Sequence, residues 1–511
     1  MGETLDAVAT EVTVAILGAG FSGIGMAIKL QEAGIRDFVL LERAEAVGGT
    51  WRDNTYPGAA CDIPSHLYSF SFELNPEWNH VYSRGPEIWA YLERVVDKHA
   101  LRDRIRHGAE VVRAVFDEER ARWHLHTADG REVVARFVVA GVGSLKDPRY
   151  PELPGIADFE GPALHSSRWD HSVSLDGKRV GVIGTGASAI QVVPELAKTV
   201  ERLTVFQRTP PWVVPRHDRA YTEREKGRLR RVPALMKLKR LGIYLAHEAR
   251  YPLVFGHDTG VRKIVEWRVK RAIREHVKDP ALVEKLTPSY RLGCKRILVS
   301  DDWYPALGQP NVDVETESIE RITARGVALA GGRELELDAL VYCTGFTVEK
   351  PLGEMEVRGR GGVEMNAMWG TRPRAYLGIT VPRFPNLFMM LGPNTGLGHN
   401  SVVVMIEAQI GYALQAIQHV LERPDVEALE LHDAALDEFV EEMDARHQGQ
   451  VWSSGCASWY LATDGGNATI WPGSTLGYLS RTRHFDPALY RVVETGSPRP
   501  DAGSRGAAAS G

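Results

Sequence analysis

With 511 residues, 44% apolar and 25% charged, the chain has material for roughly three domain-sized units of globular protein. A formal net charge of -5 gives no reason to invoke nucleic acid, and no uninterrupted apolar run reaches the ~18 residues of a membrane span. The acidic start MGETLDAVATE lacks the basic and apolar regions of a secretory signal. Cys61, Cys294, Cys343 and Cys456 form no C-x-x-C pair, so neither a metal centre such as zinc nor a disulfide framework is expected, and a reducing cytoplasm is the simplest home.

Residues 12–17 are an apolar run of strand type that stops at Gly18-Ala19-Gly20-Phe21-Ser22-Gly23, and GIGMAIKLQEAG then carries a helical period to Gly34. Strand, G-x-G-x-x-G and helix together make a dinucleotide turn: the glycines let backbone N–H groups and the helix N-terminus approach a pyrophosphate. The next strand, 38–41, ends on Glu42, placed where a carboxylate hydrogen-bonds the ribose of an adenosine. Gly48-Gly49-Thr50-Trp51 and Tyr56-Pro57-Gly58-Ala59-Ala60-Cys61-Asp62 follow. Asp62 precedes Ile63-Pro64, so by itself it reads equally as a loop or cap residue. Trp51 stands where a redox cysteine pair would begin, which argues against disulfide chemistry.

An amphipathic helix is expected over 86–104, then a meander of strands at 111–116, 123–127 and 132–139 that ends on Gly141 and Gly143. The proline-rich stretch 147–155 is a natural crossing between units. Residues 159–170, FEGPALHSSRWD, fit neither period and read as an ordered loop. The histidine in it, His165, reads equally as a satisfied loop residue that fixes the linker.

A second strand at 179–183 meets Gly184-Thr185-Gly186-Ala187-Ser188-Ala189 and another helix. Ala189 replaces the third glycine, a position that needs only to be small. The following strand ends in Gln207-Arg208-Thr209, with no acid. A carboxylate would repel a 2′-phosphate, whereas a guanidinium binds one, so this unit is expected to prefer NADPH.

Residues 216–288 turn helical and basic. Such a stretch can lie on a membrane surface, but its ordinary reading is a solvated helical face whose apolar stripe covers a domain, with membrane contact not expected. A strand at 339–342 leads into Cys343-Thr344-Gly345-Phe346, a second crossing, and a turn at 392–396 includes Asn394. The tail beyond Thr495 is small, polar and rich in Pro and Gly, and is expected to be disordered.

The string F-x-G-x-x-x-H-x-x-x-W-D, on Phe159, Gly161, His165, Trp169 and Asp170, closely resembles the signature of the type I Baeyer–Villiger monooxygenases, and the likeness runs over about 12–491. It implies an α/β fold with two Rossmann-like domains: an FAD domain at 1–150 and 335–494, and an NADPH domain at 151–334 with a helical insertion over about 216–290. On the FAD side it implies contacts from Gly18, Gly20, Ser22, Gly23, Glu42, Gly49, Thr50, Trp51, Asp62, Tyr68 and Asn394. On the NADPH side it implies Gly184, Thr185, Gly186, Ser188, Arg208, Thr209 and Lys295, with Trp459 from a C-terminal loop. Arg296, Asp62 and His165 become the candidate catalytic residues. The implied reaction uses NADPH, FAD and O2, and proceeds through a C4a-peroxyflavin to turn a ketone into an ester or lactone. Two departures bear on substrate: polar Arg52-Asp53-Asn54-Thr55 where many relatives carry aromatics, and a C-terminal segment from Asp464 that is closer to flavin monooxygenases. An N- or S-oxygenating enzyme, or a non-catalytic module on the same scaffold, are the alternatives.

Overall fold

The computed structural model describes residues 10–255, 260–448, 450–451 and 466–493. Its architecture is α/β, built on two mainly parallel sheets. In the first, Thr10–Leu17 lies between Phe38–Leu41 and Glu132–Ala140, parallel to both. Val14 to Leu17 are buried on both faces, as expected of a central parallel strand covered on both sides. The helix Phe21–Glu32 follows after a three-residue turn, 18–20. It ends in a Schellman arrangement: Gly34, at φ +80°, donates to Gln31 O at 3.0 Å and Ile35 N to Leu30 O at 2.9 Å. The antiparallel meander Val111–Asp117, Arg122–Thr127 and Glu132–Ala140 extends this sheet. Two late strands complete it, Glu356–Arg358 beside Val111–Asp117 and Leu387–Met389 beside Glu132–Ala140. The long helix Val402–Leu421 packs on Phe21–Glu32, close enough that a Cβ on Gly25 would sit 2.8 Å from the Ile410 side chain.

The second sheet is wholly parallel, in the order Val312–Glu315, Arg202–Phe206, Arg179–Ile183, Ala339–Tyr342, Ala163–His165. Two expectations are corrected by it. The stretch 159–170 is not all loop, because Ala163–His165 forms an edge strand beside Ala339–Tyr342; three residues are too few to display a period. Ala339–Tyr342 belongs to this sheet, so the chain leaves the second unit after Tyr342 rather than at 335. An all-buried apolar strand does not announce which sheet it enters.

The two crossings meet. Pro148 and Phe346 form an antiparallel bridge, Arg149 N donates to Gly345 O at 3.0 Å, and Thr347 N donates to Asp147 O at 3.0 Å. The chain therefore enters and leaves the second unit through one short two-stranded connection.

The basic segment forms the helices Glu223–Arg231, Pro233–Glu248, Gly260–His276 and Pro280–Leu286. Thr222 opens the first with a reciprocal capping box to Glu225. The inward face of Pro233–Glu248 is polar in its anchors. Arg240 donates through Nη1 to the carbonyls of His66, Leu67 and Ser69 at 3.0, 3.1 and 2.8 Å. Glu248 accepts from Asn400 Nδ2 at 2.9 Å, Leu476 N at 3.1 Å and the Thr475 hydroxyl. Burial alone would raise the Glu248 carboxyl, but hydrogen bonds from His399, Thr475, Leu476 and Asn400 outweigh it and hold the pKa at about 2. The expected apolar stripe is present in part: Met236, Ile243 and Tyr244 turn inward, and Val265, Val269 and Ile273 of Gly260–His276 join the core of the second unit, but all four leucines of Pro233–Glu248 point outward. No helix among the described residues is long and apolar enough to cross a membrane. Cys294 is disulfide-bonded, although the cysteine spacing suggests no disulfide framework, while Cys61 and Cys343 are free and buried.

Candidate active site

Between Thr10–Leu17 and the helix after it, Gly18 adopts φ +92°, and a Cβ there would stand 2.8 Å from Gly141 O. A Cβ on Gly23 would come within 1.9 Å of Gly18 O, so the helix lies against the turn only because residue 23 is glycine. Gly20 has open space, its nearest neighbour being Gly49 Cα at 3.8 Å. Beyond it lies a cavity of about 250 Å³ lined by Gly18, Gly20, Glu42, Gly49, Trp51 and Tyr68 among others, Ser22 and Thr50 included. No acid stands in the first turn of the helix, so its N-terminus is free to face an anion. Glu42 is buried at the far end and is held by Ala19 N at 2.8 Å, Ala44 N at 3.0 Å and Arg52 Nη1 at 3.0 Å. Trp51 Nε1 donates to Tyr68 Oη at 3.2 Å across an edge-to-face ring contact, and burial drives the Tyr68 phenol far above its ordinary pKa. These features fit a dinucleotide laid along the strand ends with an aromatic wall at its ring.

The second turn repeats the design. Gly184 has φ +112°, and a Cβ there would meet Cys343 O at 2.4 Å; Gly186 has nothing within 4 Å. Thr185 Oγ1 donates to Thr209 O at 3.1 Å, joining the glycine turn to the end of the next strand, and Ser188 precedes the helix Ala189–Leu196. Arg208 is exposed at that strand's end. Lys295 lies 5.1 Å over the Tyr290 ring, and its pKa is lowered by burial and then by the positive charge of Arg208. Two cations thus share one site, and among the described residues neither makes a salt bridge. That arrangement fits a phosphate group.

The two halves meet at Asp62 and Arg296, 234 positions apart in sequence. Arg296 Nε donates to Asp62 Oδ2 at 3.1 Å, Nη2 bonds the same oxygen, and Nη1 reaches Leu397 O at 3.4 Å. Both side chains remain about one-third exposed, so the pair is anchored yet open to a bound molecule.

A profile described as pyridine nucleotide-disulphide oxidoreductase matches residues 15–232. A Baeyer–Villiger monooxygenase of Pseudomonas aeruginosa is 47% identical over 96% of this chain and 93% of its own length. The chain belongs to the Baeyer–Villiger monooxygenase family. Among solved structures, cyclohexanone monooxygenase from a Rhodococcus species bound to NADP+ superposes with a TM-score of 0.84 at 31% identity, covering 93% of this chain and 97% of that one. The OTEMO complex with FAD and NADP gives 0.85 at 27% identity, covering 95% and 100%.

In this Baeyer–Villiger family member, not every residue singled out from sequence reaches the site. His165 is buried at the paired crossings, between the rings of Tyr150 (5.1 Å) and Phe346 (6.2 Å). Its Nδ1 takes the Ser167 N–H at 3.1 Å, and its ring faces the backbone of Gly345 and Arg149. It pins the linker and does not join Arg296 and Asp62. Asn394, at φ +58°, spends its amide on Asn467 O and Ile470 O at 2.7 and 3.3 Å and holds that segment in place. Trp459 lies outside the described residues.

Two residues escaped the sequence reading. Arg52 lies in the polar stretch taken as a departure, yet it lines the first cavity and binds Glu42. Gln191, on the helix of the second turn, accepts from Tyr56 Oη at 2.9 Å and Ala60 N at 3.2 Å and donates to Ala60 O at 2.9 Å. It clamps the loop that carries Asp62 to the second unit. A Cβ on Gly58 would meet Gln191 O at 2.5 Å, which explains why that loop turns on glycine. Nothing in a single sequence signals such a clamp.

Proposed function

We propose that the chain is an NADPH- and O2-dependent flavin monooxygenase that inserts one oxygen atom beside a ketone carbonyl, giving an ester or lactone. The balance is ketone, O2, NADPH and a proton to ester, water and NADP+. Gly18, Gly20, Glu42 and Trp51 would hold FAD in the first cradle, and in the second Arg208 and Lys295 would take the 2′-phosphate of NADPH. Flavin held there would supply the hydride acceptor and the route of electrons to O2, and the protein would orient, screen and protect that chemistry.

The observation that carries this reading is the Asp62–Arg296 pair, contributed by the two halves of the chain. A guanidinium lowers the cost of negative charge on a reacting oxygen where water is excluded. Asp62 aims Arg296 by its bonds to Nε and Nη2, and Leu397 O fixes the third nitrogen. Because Gln191 clamps the Asp62 loop, the docking of the second unit and the aim of Arg296 are coupled.

The test is NADPH consumption with a panel of ketones, amines and thioethers under 18O2, followed by mass analysis. Esters or lactones carrying one labelled atom are expected. Products oxidised only on nitrogen or sulfur would overturn the reading.

A further inference from the structure

We infer that the outer face of the helical insertion docks on an anionic lipid surface. Fourteen large apolar side chains are exposed among the described residues, and nine of them fall between 232 and 267, so the exposure is concentrated rather than scattered. On Pro233–Glu248, Leu235, Leu238, Leu241 and Leu245 recur at helical spacing on one face, with Leu238 62% exposed. Gly260–His276 adds Ile264 and Trp267, the latter 58% exposed. The inner side of this helix is already held by Met236, Tyr244, Arg240 and Glu248, so its outward leucines form a second apolar face that an ordinary solvated helix lacks. Its orientation is fixed by these buried polar bonds, so the apolar face cannot roll inward.

Charge selects the occupant. Residues 223–276 hold fifteen Lys and Arg against six Asp and Glu, in a chain whose net charge is -5. Lys237 stands exposed on Pro233–Glu248, and Lys263 and Arg268 on Gly260–His276. Exposed leucines and a tryptophan bordered by cations match the interfacial region of a bilayer, where each cation near an anionic surface adds to binding. A second copy would set the same positive border against itself in a two-fold interface. Helices lying on the surface need no spanning segment.

The experiment is sedimentation of the holoenzyme with vesicles of phosphatidylcholine, with and without phosphatidylglycerol, at low and high salt. Binding to phosphatidylglycerol vesicles that weakens in salt is expected. The variant L238E/L241E/L245E should lose about tenfold or more of that affinity while keeping its flavin content and its NADPH consumption with soluble ketones. The variant K237Q/K263Q/R268Q should lose the preference for phosphatidylglycerol. Wild-type protein that stays in the supernatant, or a leucine variant that binds as well as wild type, overturns the inference. A wild-type dimer that the leucine variant converts to monomer also overturns it, because a second copy would then cover the face.

Discussion

Replacing Arg296 by alanine separates the two halves of the proposed reaction. The substitution removes the bonds from Nε and Nη2 to Asp62 and from Nη1 to Leu397 O. A hydrogen bond to a charged group is worth about 1.5–3 kcal/mol when sheltered, but both partners are about one-third exposed, which brings the structural loss toward roughly 1 kcal/mol. A stability of about 5–15 kcal/mol tolerates that, so R296A should fold and retain flavin. The loss at the reacting oxygen is larger: deleting one such preorganised donor costs about 10²–10³ in rate, or about 2.7–4 kcal/mol. Hydride delivery to the flavin places no comparable negative charge beside Arg296. Anaerobic stopped-flow absorbance should show flavin reduction by NADPH at a rate near wild type. Aerobic turnover with a ketone should show ester yield reduced by those two to three orders, with hydrogen peroxide taking its place. R296K, which keeps a charge but not the planar fork, should fall between. Ester formation by R296A within a few-fold of wild type would refute the reasoning, as would reduction and oxygenation falling together.

Arg208→Ala removes one of the two cations of the second site, and steady-state kinetics should show the NADPH over NADH preference falling tenfold to a hundredfold, the equivalent of about 1.5–3 kcal/mol; an unmoved ratio would place the phosphate elsewhere. Gly18→Val must force a β-branched residue to φ +92° with its Cβ 2.8 Å from Gly141 O, so absorbance of the purified, folded variant should show little flavin; normal content would remove the first cradle's assignment. Glu248, held at about 2 instead of 4.5, contributes stability that is full above 4.5 and lost as pH falls toward about 2, roughly 3 kcal/mol at most. Urea denaturation should therefore find E248Q weaker than wild type at neutral pH, by a margin that narrows at about pH 3; a constant margin would mean that the hydrogen bonds, not the charge, matter.

Both nucleotide cradles were legible because each is local: strand, glycine turn, helix, and a deciding residue at the next strand's end occupy one short stretch. Glu42 and Arg208 differ in chemistry at equivalent places, and that contrast needs no tertiary information. The Asp62–Arg296 pair was accessible only through family resemblance, since nothing local joins residues 234 positions apart. The Gln191 clamp and the Glu248 anchor were not legible, because each is a long-range polar contact made by a residue whose neighbours in sequence read as ordinary helix. His165 is open to two readings, and its surroundings favour the linker one. Its signature string is distinctive, yet the ring packs against the crossings between Tyr150 and Phe346. The strand Ala339–Tyr342 was recognised but given to the wrong sheet, since burial on both faces looks the same in either.

The order of strands in the first sheet also governs how the chain can be made. Leu387–Met389 completes the sheet by pairing with residues 138–140, about 250 positions earlier, and the helix Val402–Leu421 that covers Phe21–Glu32 comes later still. During synthesis, the N-terminal part waits with an unpaired strand edge and a bare apolar helix face. The second sheet, whose strands all lie between Ala163 and Tyr342, can close meanwhile. Long-range pairing of this kind is slow and leaves sticky surface in the nascent chain. A chain cut short before Leu387 would be left holding that surface permanently, making premature termination a route to aggregation and chaperone capture rather than to a half-active enzyme.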